Sequence, residues 1–386
     1  MNFDLPEEVL DVRRLVRNFA EKEIVPVAEK YEREERYPRE IVSKMGELGF
    51  FTSIFPEEYG GTAMEWGFLV NAVVAEELAK ASLGFANVMN MQSTTVPLTI
   101  LNWGTTEQKS KFIPSLIKCE FLGAFGLTEP QAASDSASLE TTAREDGDCY
   151  VLNGSKIWIT HASVMDVAVV FAKTVPGKRH DGITAFLVEK GTPGLGQRKI
   201  VNKLGVRSSD TGELFFEDCR VPKQNMLGPL NQGFQVAQNA LQYGRTSVAA
   251  RALGVAQACL DASLKYANER EQFGQKIGKF QMVQQLIADM KVEIEAARLL
   301  VYNSAWLKDM GRPNYLESTM AKFFAAESCV RASESACRIH GAYSYSDEFP
   351  VGRYYRDALL TIAGEGSSNI QRIIIANDVL GWKKRG

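Results

Sequence analysis

Tyr150-Val-Leu-Asn-Gly-Ser-Lys-Ile-Trp-Ile-Thr160 is the stretch on which the fold turns. Its β-branched and aromatic residues, interrupted by the turn-prone pair Asn153-Gly154, predict extended chain. Three more short runs follow, Val167 to Phe171, Ile183 to Val188 and Glu213 to Phe216, punctuated by Pro176-Gly177, Pro193-Gly194 and Gly212. No long helical pattern separates them, which argues against a doubly wound parallel sheet. The expectation is a small antiparallel barrel or sandwich in the middle of the chain.

Helical periodicity flanks that region on both sides. Val9, Leu10, Val12, Val16 and Phe19 recur at three-to-four-residue steps, as do the apolar residues of Ile41 to Leu48 and Phe68 to Leu78. Pro56-Glu-Glu-Tyr-Gly-Gly61 reads as a loop between helices. After Gly228 the period returns, with Val283, Leu286, Ile287, Met290, Ile294, Ala297 and Val301 on one face and Asp289, Lys291, Glu293 and Glu295 largely opposite. The Ala-rich segments Thr246 to Ala262 and Met320 to Ala336 favour close helix packing, because small side chains let backbones approach. The fold expected is mainly α with a middle β-domain: helical over 1–120, β over 121–230 and a helical bundle over 231–386.

The 386 residues carry 47 acidic and 44 basic side chains, spread along the chain and nearly balanced, so neither nucleic acid nor an anionic membrane surface is an expected partner. Met1-Asn-Phe-Asp-Leu-Pro-Glu-Glu8 lacks the basic and apolar regions of a secretory leader, and no apolar run has membrane-spanning length. A cytoplasmic protein is expected. The six cysteines form no CxxC pair, and His161, His180 and His340 do not fall at ligand spacing, so neither a metal site nor a disulfide is expected.

The chemistry concentrates in Thr361-Ile-Ala-Gly-Glu-Gly-Ser-Ser-Asn-Ile-Gln-Arg372. Glu365 sits between Gly364 and Gly366, which would let the backbone turn sharply, and Ser367, Ser368 and Asn369 can cap a helix beginning at Ile370. Glu365 is either a catalytic carboxylate or a loop acid that complements the helix dipole. In Phe125-Gly-Leu-Thr-Glu-Pro-Gln-Ala-Ala-Ser-Asp135, the hydroxyls of Thr128 and Ser134 suit a ring with polar edges. Trp158 and Thr160, two apart, share a strand face, which offers stacking plus a hydrogen bond or else plain core packing of the indole. Neither a G-x-G-x-x-G dinucleotide loop nor a phosphate loop is present, since Gly194-Leu-Gly196 lacks a third glycine and Gly278-Lys279 is followed by Phe280.

Taken together, Thr128-Glu-Pro130, Asn153 to Thr160, Tyr266-Ala-Asn-Glu-Arg-Glu-Gln-Phe-Gly-Gln-Lys-Ile-Gly-Lys-Phe-Gln281 and Glu365 to Arg372 resemble the motifs of the acyl-CoA dehydrogenase family at that family's relative positions. The resemblance covers nearly the whole chain and looks strongest towards the glutaryl-CoA and alicyclic acyl-CoA branch. It implies an N-terminal helical domain, a small β-barrel and a C-terminal four-helix bundle, with FAD between the last two. Phe125, Leu127, Thr128, Trp158 and Thr160 would surround the isoalloxazine, and Ser134 would contact the CoA moiety. Arg270, Gln272, Phe273 and Gln281 resemble residues that reach the FAD of a neighbouring subunit, which implies a homo-oligomer, by family habit a tetramer. A guanidinium such as that of Arg270 can clamp a pyrophosphate. Ser367 and Asn369 match further cofactor contacts. The family's Gln-x-x-Gly-Gly-x-Gly-Tyr stands here as Arg338-Ile-His-Gly-Ala-Tyr-Ser-Tyr345, with only Gly341 and Tyr345 matching. Arg338 and Gly341 are its candidate cofactor contacts, and His340 reads as structural.

The reaction implied passes the Cα proton of an acyl thioester to Glu365 and the Cβ hydride to flavin N5. The thioester carbonyl would be polarised by the Glu365 amide and a flavin ribityl hydroxyl. Burial beside an apolar acyl chain would raise the carboxyl's pKa towards the working pH. Some relatives carry the base on the helix holding Leu241-Gln-Tyr-Gly-Arg245; the matching Gly244 has no side chain, and Arg245 reads as a structural or pocket arginine. Glutaryl-type relatives carry an Arg-Ser pair where Ala86-Asn87 stands here, so a second carboxylate on the substrate would lack its cation. Gly364 replaces a frequent aromatic and leaves room, pointing to a bulky acyl group such as cyclohexanecarboxyl- or cyclohexenecarboxyl-CoA. The alternatives are glutaryl-CoA, benzylsuccinyl-CoA and short-chain acyl-CoA. An electron-transferring flavoprotein is the expected electron acceptor. Competing classes are a flavin oxidase or desulfinase on the same fold, and a non-catalytic acyl-CoA-binding scaffold, against which Glu365 counts.

Overall fold

Apolar spacing in the first third places buried side chains along one side of each helix. In α1 (Glu7–Phe19), for example, Val9, Val16 and Phe19 face inward. The computed structural model of the chain describes residues 4–382. After α1 come α2 (Ala28–Glu34), α3 (Arg39–Glu47), α4 (Gly67–Ala81), α5 (Leu83–Ala86), α6 (Pro97–Trp103) and α7 (Thr106–Ile117). Helix α4 is apolar on nearly every side and correspondingly buried on nearly every side. Ser82, in extended conformation, ends it, and the chain passes through α5 into a π-helical turn over Asn90–Thr94. Such turns widen a helix by one residue and recur at functional sites.

The middle region is β1 (Gly123–Gly126), β2 (Thr142–Asp146), β3 (Cys149–Thr160), β4 (Val167–Lys173), β5 (Ile183–Glu189), β6 (Leu195–Lys199), β7 (Thr211–Pro222) and β8 (Met226–Leu227). The sheet runs β6-β7-β3-β2-β4-β5-β8, with β1 added on β4. It is not wholly antiparallel as the turn spacing implied, because β1 and β2 both pair with β4 in parallel. Residues of six strands, among them Ala124, Ala143, Leu152, Val170, Phe186, Leu214 and Phe216, share one core. Strands from both ends of the sheet contribute to that core, so the sheet must curl around it. The opposite faces of β1, β4 and β5, including Val167, Val169, Phe171 and Leu187, join the core of the helices.

The long helices α8 (Gly233–Glu269), α9 (Gln281–Asp309) and α10 (Tyr315–His340) are followed by α11 (Val351–Ala363) and α12 (Ser368–Val379). Between α8 and α9 lies a two-stranded hairpin, β9 (Glu271–Gln272) with β10 (Gln275–Lys276). The Ala-rich segments behave as expected: Ala249, Ala250, Ala252 and Ala256 of α8 and Ala321, Ala325, Ala332 and Ala336 of α10 are buried. Two contacts lock the thirds together. The Asp309 carboxylate accepts from the Phe68 and Leu69 amides at 2.8 and 3.0 Å, capping α4 from the end of α9. Gln92, in the π-turn, donates to the carbonyls of Leu116 and Phe121 at 2.7 Å and accepts from the Gly123 amide at 2.9 Å, fixing the start of β1.

Candidate active site

Where α11 ends, the backbone reverses at Glu365 and Gly366, with φ of 54° and 89°. The turn is therefore made by the acid itself and the glycine after it. Gly364, with φ −66° and ψ 151°, has a conformation open to any residue, contrary to its expected part in the turn. Helix α12 begins at Ser368 and not at Ile370, because Ser367 already supplies the cap, its hydroxyl accepting from the Ile370 amide at 3.4 Å. Two buried donors pin the turn's carbonyls. Gln371 Nε2 reaches the Glu365 and Gly366 oxygens at 3.1 Å, and Lys322 Nζ reaches the Gly366 oxygen at 2.7 Å.

The Glu365 carboxyl lies inside, against the backbone of α8. A methyl group built on Gly244 would stand 2.6 Å from its Cδ, so the absence of a side chain there is what leaves the carboxyl its place. Oε1 accepts from Asn90 Nδ2 at 2.7 Å. Oε2 is buried and has no partner among the described residues. Burial pushes the pKa of this carboxyl up; the Asn90 hydrogen bond and the charges of Arg251, Arg245 and Lys322 pull the other way without cancelling it. The result is a carboxylate of raised basicity with one free oxygen, the arrangement a general base requires.

The three cations are themselves buried. Arg245 donates to Thr319 Oγ1 at 3.2 Å and lies over the Tyr315 ring. Burial brings Lys322 down to about 8 and Arg251 down to about 10. Arg251 donates to the amide oxygens of Asn87 and Asn90, the latter at 3.1 Å, so Asn90 is held between the guanidinium and Glu365.

A second cluster forms on the sheet. The Ile157 amide donates to the Thr128 carbonyl at 3.0 Å, which ties the Thr128 loop to β3 next to Trp158, while Phe125 packs on Phe171 of β4. Trp158 is 60% exposed, which disposes of the core-packing reading. It falls in the register shift between Lys156 and Ile159 of the β3–β7 ladder and has φ 61°, so a bulge turns the indole outward. With the half-buried Thr128 and Thr160 nearby, this surface fits a planar ring with polar edges. Beneath it, Lys156 Nζ meets Glu129 Oε1 at 2.6 Å, both fully inside. Glu129 also accepts from Thr141 and from the Glu140 amide, and these donors with Lys156 outweigh burial and hold its pKa below the ordinary value. The π-turn joins the two clusters, since Asn90 touches Glu365 while Gln92 holds β1.

Other expected residues lie away from these clusters. Ser134 is exposed in the loop after β1, and Arg270, Gln272, Phe273 and Gln281 are exposed on and beside the β9–β10 hairpin, Phe273 almost wholly so. Arg270 lies over the Tyr343 ring. Arg338 is exposed and ion-paired to Glu334, Gly341 has φ 61°, and Asn369 is exposed and accepts from Arg372. His340 is structural as read, bonded to the Ala336 carbonyl at 2.8 Å and stacked on Tyr266. Among the described residues no cluster could hold a metal ion, and the six cysteines are unbridged. Sequence reasoning missed Asn90, Arg251, Lys322 and the Glu129–Lys156 pair. The one available signal was three basic residues, Arg245, Arg251 and Lys322, set into otherwise apolar helical stripes.

Comparison with known proteins gives matches to the acyl-CoA dehydrogenase N-terminal domain over residues 6–120, the middle domain over 124–219 and the C-terminal domain over 231–380. The chain is 46% identical to glutaryl-CoA dehydrogenase of Desulfococcus multivorans, over 100% of this chain and 99% of that one. It is 42% identical to the mitochondrial short-chain specific acyl-CoA dehydrogenase of Mus musculus, over 98% and 91%. A solved glutaryl-coenzyme A dehydrogenase in complex with glutaryl-CoA superposes with a TM-score of 0.97 at 45% identity, over 100% and 98%.

Proposed function

This chain belongs to the acyl-CoA dehydrogenase family, and from that premise we propose that it oxidises an acyl-CoA thioester between Cα and Cβ with Glu365 as the base. It is a flavin-dependent oxidoreductase with FAD as its cofactor. The observation that carries the assignment of the base is the buried, unpartnered Oε2 of Glu365 on a carboxyl of raised pKa. Asn90 engages Oε1 and leaves Oε2 as the oxygen open to take a proton. Gly244 gives the carboxyl room, and the buried charges of Arg245, Arg251 and Lys322 favour the negative charge that develops on the thioester as its Cα proton leaves.

Phe125, Leu127, Thr128, Trp158 and Thr160 would hold the flavin ring, with Ser367 and Asn369 beyond the base. When bound, FAD supplies the acceptor for the hydride from Cβ. We assign Ser134 to the CoA moiety, Gly364 and Arg245 to the acyl pocket, and Arg270, Gln272, Phe273, Gln281, Arg338 and Gly341 to the cofactor of a neighbouring subunit in a homotetramer. The exposure of Phe273 supports that reading, since a side chain 94% exposed on one chain is apt to be covered in an assembly. Functional boundaries at 1–120, 121–230 and 231–386 follow from the same reading, and an electron-transferring flavoprotein is the proposed acceptor.

For the acyl group, the two relatives named above point to glutaryl-CoA and to a short-chain acyl-CoA. A bulky alicyclic group has one observation in its favour: a Cβ at Gly364 would meet nothing nearer than the Leu360 carbonyl at 3.6 Å. The test is anaerobic titration of the FAD-loaded protein with butyryl-, glutaryl- and cyclohexanecarboxyl-CoA. Bleaching of the flavin by at least one of them is expected, and a flavin left oxidised by all three would defeat the assignment.

A further inference from the structure

Asn90 is held from both ends. Its Nδ2 donates to Glu365 Oε1 at 2.7 Å, and its Oδ1 accepts from Arg251 at 3.1 Å. A side-chain amide has nearly the same shape either way round, so packing alone would not choose between its two orientations. Its neighbours choose, because a carboxylate only accepts and a guanidinium only donates. Turning the amide over would set oxygen against oxygen and N–H against N–H. Arg251, on α8, thus decides which end of Asn90 meets the carboxyl of Glu365.

Arg251 is held in its turn. Its guanidinium also donates to Asn87 Oδ1, and Asn87 Nδ2 donates to Ser209 Oγ at 2.9 Å. Arg251, Asn87, Asn90 and Ser209 are all buried, so a polar chain runs through the interior from the loop before β7 to the Glu365 turn. Among the described residues no carboxylate pairs with Arg251, and the one acid whose charge acts on it is Glu365. An interior guanidinium without an ion-pair partner is destabilising relative to a well-packed apolar side chain. Stability therefore does not account for Arg251; what it orients does.

Resting on the reading of Glu365 as the base, we infer that Arg251 is a positioning residue for it, acting through Asn90 to hold Oε1 and leave Oε2 for the Cα proton. The same chain bears on the protonation of the carboxyl. Burial pushes its pKa up, while the Asn90 hydrogen bond and the charges of Arg251 and Arg245 on α8 and of Lys322 on α10 pull it down. Loss of the Arg251 charge should therefore let Glu365 take its proton at a higher pH.

The test uses FAD-loaded enzyme and whichever of butyryl-, glutaryl- and cyclohexanecarboxyl-CoA wild type oxidises fastest. Arg251→Gln should lower kcat by about a hundredfold with KM within about threefold of wild type. It should also move the acid limb of kcat/KM up by about half a pH unit or more. Arg251→Lys keeps the charge and a donor for Asn90, so it should hold the limb at its wild-type pH and recover at least about tenfold of kcat. With Asn90→Ala already in place, Arg251→Gln should cost no more than about threefold further in kcat, because the two residues act as one unit. Should Arg251→Gln fail to fold, Asn90→Asp decides: it keeps the shape and pairs with the guanidinium but turns a carboxylate on Glu365, so kcat should fall by about a hundredfold. Losses that multiply in the double variant, a loss confined to KM, an acid limb unmoved by Arg251→Gln, or an Asn90→Asp enzyme as fast as wild type would each overturn the inference and leave the dehydrogenase reading intact. A wild-type flavin that none of the three thioesters bleaches would instead strike at that reading, and this inference with it.

Discussion

Glu365, Trp158 and Phe273 all hold left-handed backbone conformations that side chains other than glycine seldom adopt. Each was a candidate site residue on sequence grounds, and local strain of this kind gathers where function over-determines the backbone. For Glu365 the consequence is a carboxyl aimed across to α8, and Gly244→Ala tests that aim. The added methyl would push the carboxyl and not the fold, since the nearest atoms are the end of one flexible side chain and alanine favours a helix. Thermal stability should hold while kcat drops by about a hundredfold, the scale expected for roughly an ångström of misplacement. Unchanged turnover would mean that the carboxyl's seat against α8 does not matter. The raised pKa of Glu365 makes a second prediction. A base works only when ionised, and burial makes protonation set in above the ordinary 4.5. The acid limb of kcat/KM should therefore have its midpoint above that value, with activity lost as pH falls through it; a limb at or below 4.5 would contradict the burial argument. Glu365 itself was legible in the sequence because its glycines and caps are local. Asn90 and Arg251 were not, because their partners are 275 and 164 residues away.

The elements were read well wherever one period ran unbroken. The β-rich, turn-punctuated runs of the middle strands and the helical stripe of α9 are set by composition and spacing within each segment, although β4 proves buried on both faces. Local pattern could not show the parallel pairings to β4, the π-turn at Asn90–Thr94 or the bulge at Trp158, because each is imposed by neighbouring elements. The Glu129–Lys156 pair belongs to this scale, since it ties the Thr128 loop to β3 under the exposed indole. Lys156→Met removes one partner and strands the other in the interior, which should cost about 3 kcal/mol or more. Calorimetry should show a lowered Tm, with the FAD more readily lost on dilution. A variant as stable and as flavin-loaded as wild type would show that this pair does not organise the ring-binding surface.

At the scale of the molecule, the N-terminal third reaches the Glu365 turn through Asn90, and the C-terminal third supplies the cations buried around it. Phe273, Met282 and Val379 are left largely exposed on a single chain. An assembly that covers them should show a mass near four times 42.8 kDa by light scattering. Phe273→Asp should shift that mass downward and weaken FAD retention together. A monomeric wild type that keeps FAD would end the tetramer reading while leaving the catalytic one intact.

The measurement closest to the central claim follows the Cα proton itself. A thioester analogue with sulfur in place of Cβ can surrender that proton but has no hydride to give. Incubated in deuterated water with the FAD-loaded enzyme, it should take up deuterium at Cα, as read by proton magnetic resonance. With Glu365→Gln it should still bind while the exchange falls by about a thousandfold or more. Exchange at the wild-type rate in that variant would show that some other group removes the proton.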